Sequence, residues 1–197
     1  NAASMRDMFE AERAGLEALA AADAIRVPRP LAVGSEGGQS WLVLEDIAFG
    51  RPGPGSARDA GRRLAALHRR AAPAFGWKRD NTIGATPQPN PWTASWTAFW
   101  RDQRLGHQLR LAARHGHGGR LQALGARLME AVPALLDHAP VPSLLHGDLW
   151  GGNMGYTVEG EPVIYDPAVY YGDREADLAM TELFGGFGGE FYAGYRE

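Results

Sequence analysis

The sequence predicts an α+β fold in two unequal lobes that share a cleft. Three observations lead there. The first 46 residues hold one helical stretch and two short strands, residues 45–55 are rich in glycine and proline, and helical periodicity dominates from there on, apart from one short hairpin around residue 160. A chain of 197 residues suits one large domain or two small lobes. The expected division is a small lobe over residues 1–46 and a mainly helical large lobe over residues 47–197.

The first element is a helix over Ser4–Ala22, capped by Ser4 with Asp7 as its partner three residues on. Met5, Met8, Phe9, Leu16 and Leu19 recur at helical intervals and form one apolar stripe. Glu12 falls inside that stripe. A carboxylate there either reaches the stripe's edge or needs a cationic or hydrogen-bonding partner, because a lone buried charge is costly. Val27–Pro30 ends the helix in extended chain. Leu31–Val33 and Trp41–Leu44 follow as strands, and the glycine-rich Gly34–Gly38 turn joins them into an antiparallel hairpin.

Past the linker, Ala57–Arg70 is a helix with Leu64, Leu67 and His68 facing inward, His68 as a hydrogen-bonded core residue. Phe75–Trp92 is expected as a long loop, of the length that tends to be functional in compact domains. Trp92, Trp96 and Trp100 stand four apart, which puts them on one face of the following helix and into the core. Leu121–Leu136 is a further amphipathic helix, preceded by the glycine loop His115–Gly119. The two histidines of that loop have no third ligand at a metal-binding spacing, so it is expected to be flexible and exposed.

Composition excludes several classes. Hydrophobic residues make up 45% of the chain and charged residues 22%, the profile of a folded protein with a real core. A net charge of −3 argues against a general nucleic-acid binder, which shows a basic excess. No apolar run approaches the ~20 residues that span a bilayer, and Asn1–Glu12 has no signal-peptide pattern. With no cysteines, disulfide scaffolds and thiolate metal sites are excluded, and a cytoplasmic location is expected. Lys78 is the only lysine among the 20 basic residues.

The chemistry concentrates in Leu144–Asn153, followed by a strand over Met154–Val158, a Glu159-Gly160 turn, a strand over Pro162–Tyr165, and Asp166. A tight hairpin brings the residues that flank it side by side. Asn153 and Asp166 flank this one. An amide oxygen beside a carboxylate suits a hard divalent cation such as Mg²⁺, and Asp148, five residues before Asn153, would face the same spot. Phosphoryl transfer needs such an arrangement: positioning, charge neutralisation, and a carboxylate to take a hydroxyl proton. The order His146-x-Asp148-x-x-x-x-Asn153, then Asp166 after a hairpin, matches the kinase catalytic-loop signature. A hydrolase dyad is discounted, because no Gly-x-Ser-x-Gly elbow supplies a nucleophile.

His146-Gly-Asp-Leu-Trp-Gly-Gly-Asn153, Asp166-Pro-Ala-Val-Tyr-Tyr-Gly-Asp-Arg-Glu175 and Glu182-Leu-Phe-Gly185 closely resemble the fructosamine (ketosamine) kinase family, within the protein-kinase-like fold. Asn81-Thr-Ile-Gly84, Gln88-Pro-Asn90 and Trp96–Leu105 fit that family as well. The resemblance implies ATP and Mg²⁺ as cofactors and a ketoamine, free or on a glycated protein lysine, as the phosphate acceptor. It implies Asp148 as base, Asn153 and Asp166 as metal ligands, and Asp177 as a brace for the catalytic loop. The Glu45 carbonyl and Ile47 amide would meet adenine, and Glu12 would pair with a phosphate-binding lysine. Trp150, beside Asp148, either stacks on the sugar or packs; substrate contact is the expectation. Two rivals stand beside this: an aminoglycoside- or choline-type phosphotransferase of the same fold, and a kinase-like binding module without catalysis.

The family's glycine-rich hairpin and lysine-bearing strand precede the helix that carries Glu12, and its members continue with further helices past the position of Glu197. Neither set is in these 197 residues. The expectation is therefore a small lobe truncated at its start, a large lobe truncated at its end, and weak ATP binding by this stretch alone.

Overall fold

The computed structural model describes residues 2–197, with side chains from Met5 onward. The small lobe is helix α1 (Ala2–Ala21) packed on the antiparallel strands β1 (Pro30–Glu36) and β2 (Gln39–Leu44). The backbone of α1 already runs from Ala2, and the side chain of Ser4, the expected cap, lies outside the described residues. Strands β1 and β2 are longer than their apolar residues suggest. They turn at Gly37 and Gly38, with φ of 59° and 81°, a conformation at two successive residues that glycine tolerates best.

The apolar stripe of α1 serves two purposes. Leu16 and Leu19 are completely buried, whereas Met5 is exposed and Met8 is half-buried. The carboxyl half of the stripe therefore enters the core and the amino half faces a cleft. The core it enters belongs to both lobes. Leu16, Leu19 and Ile25 join Leu64 and Leu67 of α2 (Ser56–His68), along with Phe75, Trp96, Leu145 and Tyr170.

Helix α2 packs tightly on the last helix of the chain. The approach needs two glycines, since a Cβ at Gly61 would come 1.9 Å from the Phe191 carbonyl oxygen and one at Gly194 would come 2.0 Å from that of Arg58. His68 is buried as expected, with Nδ1 2.8 Å from the Tyr195 hydroxyl and Nε2 3.1 Å from Asp177 Oδ2.

The segment 75–92, expected as a loop, contains an antiparallel hairpin: β3 (Asn81–Ile83) and β4 (Thr86–Gln88). Three-residue strands are too short for an alternating pattern to register. The tryptophan face also differs from expectation. Trp92 lies before the helix, half-exposed, with its ring 6.1 Å from that of Tyr171. Trp96 is buried on α3 (Trp96–Phe99), and Trp100 opens a widened π turn (Trp100–Leu105) leading into α4 (Gly106–Arg114). The Trp100 N–H still reaches the Trp96 carbonyl and its ring packs on the same core, so the four-residue spacing holds for Trp96 and Trp100 and fails for Trp92, which precedes the helix.

Helix α5 (Arg120–Leu135) buries Gly125 and Val132, while Leu121, Leu124 and Leu128 are exposed. Beyond it, β5 (Ser143–Leu145) pairs antiparallel with β8 (Tyr170–Gly172), and β6 (Met154–Tyr156) with β7 (Pro162–Ile164). Helices α6 (Glu175–Leu183) and α7 (Gly189–Tyr195) complete the chain. Among the described residues no helix is long and apolar enough to cross a membrane.

Candidate active site

Strand β5 delivers the loop His146–Asn153 beside the segment that follows Asp166, because Leu145 pairs with Tyr170. Gly147 makes that approach possible. Its φ is +83°, and a Cβ there would sit 2.0 Å from the Ala168 carbonyl oxygen. Asp177 accepts from the backbone N–H of His146 at 2.8 Å and of Gly147 at 2.9 Å, so a buried carboxylate pins the loop. Burial alone would raise Asp177. The His68 hydrogen bond, the charges of His68 and His146, and the Gly147 amide outweigh it and hold the carboxyl below its ordinary value.

His146 is fully buried, and burial lowers its pKa in spite of the carboxylates around it. Its Nδ1 accepts from the Asp148 N–H at 3.3 Å, which leaves the proton on Nε2 to donate to the Tyr165 carbonyl at 2.9 Å. The ring thus ties the Asp148-bearing loop to the residue before Asp166.

The β6–β7 hairpin does the rest. Tyr165 N–H donates to the Asn153 carbonyl at 3.1 Å, so Asn153 stands across from Tyr165 and Asp166 lies one residue beyond. Asp166 has φ of +54°, unusual for a residue other than glycine, and this conformation turns the chain at the site. The Asn153 amide group donates to the Asp148 carbonyl at 2.8 Å and to Asp148 Oδ2 at 3.3 Å.

Asp148, Asn153, Asp166, Glu12 and Trp150 all line one cavity of about 520 Å³. Burial is the main cause raising the pKa of Asp148, opposed by His146 and by the Asn153 hydrogen bond. Glu12 is pushed up to about 7, first by burial and then by the charge of Asp166. It has no ion pair among the described residues, and Lys78 faces a separate cavity with Glu10, Arg13 and Glu17. Trp150 is half-exposed, its indole lying across Gly152, where a Cβ would meet the ring at 2.3 Å. The ring is therefore a wall of the cavity and not a core residue.

Glu45 and Ile47 do not line this cavity. The Glu45 carboxylate accepts from Arg26 Nη2 at 2.9 Å and from the Arg29 N–H at 3.1 Å, while its own N–H donates to the Arg29 carbonyl at 2.8 Å. The Ile47 side chain is buried. Among the described residues no hydrogen bond takes the Glu45 carbonyl or the Ile47 amide.

A divalent cation fits the donor set between Asn153 and Asp166. Among the described residues, the Asn153 amide oxygen and the Asp166 carboxylate have no hydrogen-bond partner. No cluster of three or more His, Asp or Glu there could hold a metal by itself. One amide and one carboxylate, with water or phosphate oxygens completing the shell, is how magnesium is usually bound.

The cavity also includes residues that the motifs did not single out for chemistry: Met5 and Met8 of α1, and Asn81, Thr82, Gly84 and Ala85 of the β3–β4 hairpin. For the second group the sequence offered the fit of Asn81-Thr-Ile-Gly84 to the family pattern, with no role attached.

Solved structures share this architecture. A Haemophilus somnus 129PT protein assigned by name to fructosamine-3-kinase superposes with a TM-score of 0.90 at 34% identity, over 100% of this chain and 66% of that one. The small strand-bearing lobe, the larger helical lobe and the cleft loop define a protein-kinase-like fold. Among curated proteins, a probable ketoamine kinase of Synechocystis is 54% identical over 100% of this chain and 66% of its own length. A chloroplastic protein-ribulosamine 3-kinase of rice (Oryza sativa subsp. indica) is 45% identical over 96% of this chain and 56% of its own. The family profile described as fructosamine kinase matches residues 1–197, and the chain belongs to that family. It spans between about half and two-thirds of the length of these relatives.

Proposed function

We propose that this chain carries the catalytic centre of a kinase that moves the γ-phosphate of ATP onto a sugar hydroxyl of a ketoamine, free or attached to a protein lysine. One observation carries the proposal: Asp148, Asn153 and Asp166 share a cavity, with metal-type oxygens of the last two uncommitted. Membership of the fructosamine kinase family supports the choice of a ketoamine as acceptor.

In this account Asp148 takes the proton of the attacking hydroxyl. Burial makes it a stronger base than an exposed aspartate, and the Asn153 amide fixes its orientation. Asn153 and Asp166 would hold Mg²⁺, which when bound neutralises charge on the nucleotide phosphates. Trp150 offers a flat apolar face to the acceptor beside Asp148. The Glu45 carbonyl and Ile47 amide, uncommitted among the described residues, would meet adenine. Glu12, a carboxylate without a cation partner among the described residues, would order a phosphate-binding lysine.

The test is ADP release by the full-length protein, with ribulosamine, fructosamine, an aminoglycoside and choline offered in parallel. The proposal expects turnover with ketoamines and little with the other two. Preference for the aminoglycoside or choline would reassign the acceptor, and ADP release with none of the four would remove the kinase assignment.

A further inference from the structure

The β3–β4 hairpin forms one side of the cavity, yet it has little apolar burial to hold it there. Its anchor is a chain of amides ending on a buried guanidinium. Arg104, on the widened turn before α4, has its guanidinium carbon 4.5 Å from the Phe99 ring centre and 4.1 Å from that of Tyr170. No carboxylate lies within ion-pair distance of it among the described residues, and burial lowers its pKa. A charge held this way costs stability. What it gains is direction: Nη1 donates to the Pro89 carbonyl at 2.8 Å and Nη2 to Asn90 Oδ1 at 2.7 Å.

Asn90 is almost fully buried and passes the orientation on. With its oxygen fixed by Arg104, its amide group must point the other way, and it donates to Asn81 Oδ1 at 2.9 Å. Asn81 Oδ1 also accepts from Gln88 Nε2 at 2.9 Å, which ties the two strands to each other. The Asn81 amide then donates to the Val169 carbonyl at 2.8 Å, and Gln88 to that of Ala168 at 3.1 Å. Those carbonyls follow Asp166 by two and three residues. The relay therefore fixes the hairpin against the same segment that carries the metal-type carboxylate.

The groups that the hairpin presents to the cavity are Thr82, Gly84 and Ala85, with the Asn81 side chain consumed by the relay. None is cationic, so this side suits neutral hydroxyls and not phosphates. Thr82 Oγ1 has no hydrogen-bond partner among the described residues. We propose that the β3–β4 hairpin is the specificity wall for the sugar of the acceptor, and that Arg104, acting through Asn90 and Asn81, is the positioning residue that sets this wall. The proposal rests on the kinase assignment above and names the acceptor side of that site.

Asn90→Asp in the full-length protein isolates the relay. It keeps an oxygen for Arg104 and deletes the amide hydrogens that reach Asn81 Oδ1 and the Arg79 carbonyl. The expected result is a rise of about tenfold in KM for the ketoamine, with KM for ATP within about twofold of the parent. Amide hydrogen exchange over residues 82–85 should quicken. Thr82→Val, which leaves the relay intact, should raise the ketoamine KM without altering exchange. The proposal is overturned if both KM values move together, if the ketoamine KM stays fixed in both variants, or if exchange at the hairpin is unchanged in Asn90→Asp. A parent protein that turns over no ketoamine would overturn the acceptor role together with the kinase assignment. Faster exchange in Asn90→Asp would then still support the relay as the hairpin's anchor.

Discussion

The two hairpins that border the cavity are held by different means. Strand β7 is buried along its whole length, with Val163 and Ile164 completely inaccessible, and the Ile164 N–H is tied to the Arg26 carbonyl at 3.0 Å. Apolar burial fixes that hairpin, and its ends carry Asn153 and Asp166. Strands β3 and β4 rely instead on the buried Gln88 and Asn90 and the partly buried Arg104, polar groups whose value lies in direction. A core of aliphatic side chains tolerates small errors of shape. A polar relay fails when one donor is lost, since each buried partner left behind then lacks its bond.

The strongest test of the β6–β7 side is chemical. Asp148→Asn should lower turnover by about 10²–10⁴-fold, the usual contribution of a positioned base, with the melting temperature near that of the parent. ADP release and thermal melting measure the two halves of that statement. Next comes the junction between the catalytic loop and the segment after Asp166. Gly147→Ala combines a positive φ with a Cβ 2.0 Å from a carbonyl oxygen, and should cost about 3 kcal/mol or more in denaturant unfolding.

The comparison itself is sharpened by a pair of variants. Gln88→Leu strands the Ala168 carbonyl and removes one of the two donors to Asn81 Oδ1, and should cost about 1–3 kcal/mol. Ile164→Val on β7 should cost about 0.5–1.5 kcal/mol and leave ketoamine affinity unchanged. If Ile164→Val proved the costlier of the two, the contrast between the hairpins would be wrong.

The smallest expected effect is a pH dependence. Glu12 is raised to about 7 from an ordinary value of 4.5, so the folded protein holds that proton more tightly than the unfolded chain does. Stability from the neutral form is full below about pH 4.5 and is lost as pH rises through about 7. Without magnesium or nucleotide, Glu12→Gln should therefore melt higher than the parent at pH 8 and close to it at pH 5.

The same contrast explains what could be read in the sequence. The β6–β7 hairpin and its flanking residues were legible because short apolar strands around a Glu-Gly turn coincide with a spaced motif. His68 was legible because a histidine on the inward face of α2 implies a partner, which Asp177 and Tyr195 supply. The stripe on α1 announced a helix but not its division between core and cleft, so the surroundings of Glu12 stayed open. Trp92 was misplaced because a four-residue spacing continued through a loop that is not helical. The β3–β4 hairpin was invisible for a related reason. Buried amides follow no period, and Asn81, Gln88 and Asn90 look the same in a sequence whether they anchor a wall or coat a loop.

The central claim is that Asn153 and Asp166 converge on one cation with the nucleotide phosphates, beside Asp148. Calorimetric titration of ATP into the full-length protein, with and without Mg²⁺, addresses it most directly. The account predicts that Mg²⁺ strengthens ATP binding in the parent and that Asp166→Asn and Asn153→Ala each lose most of that gain. Equal Mg²⁺ dependence in all three proteins would contradict it.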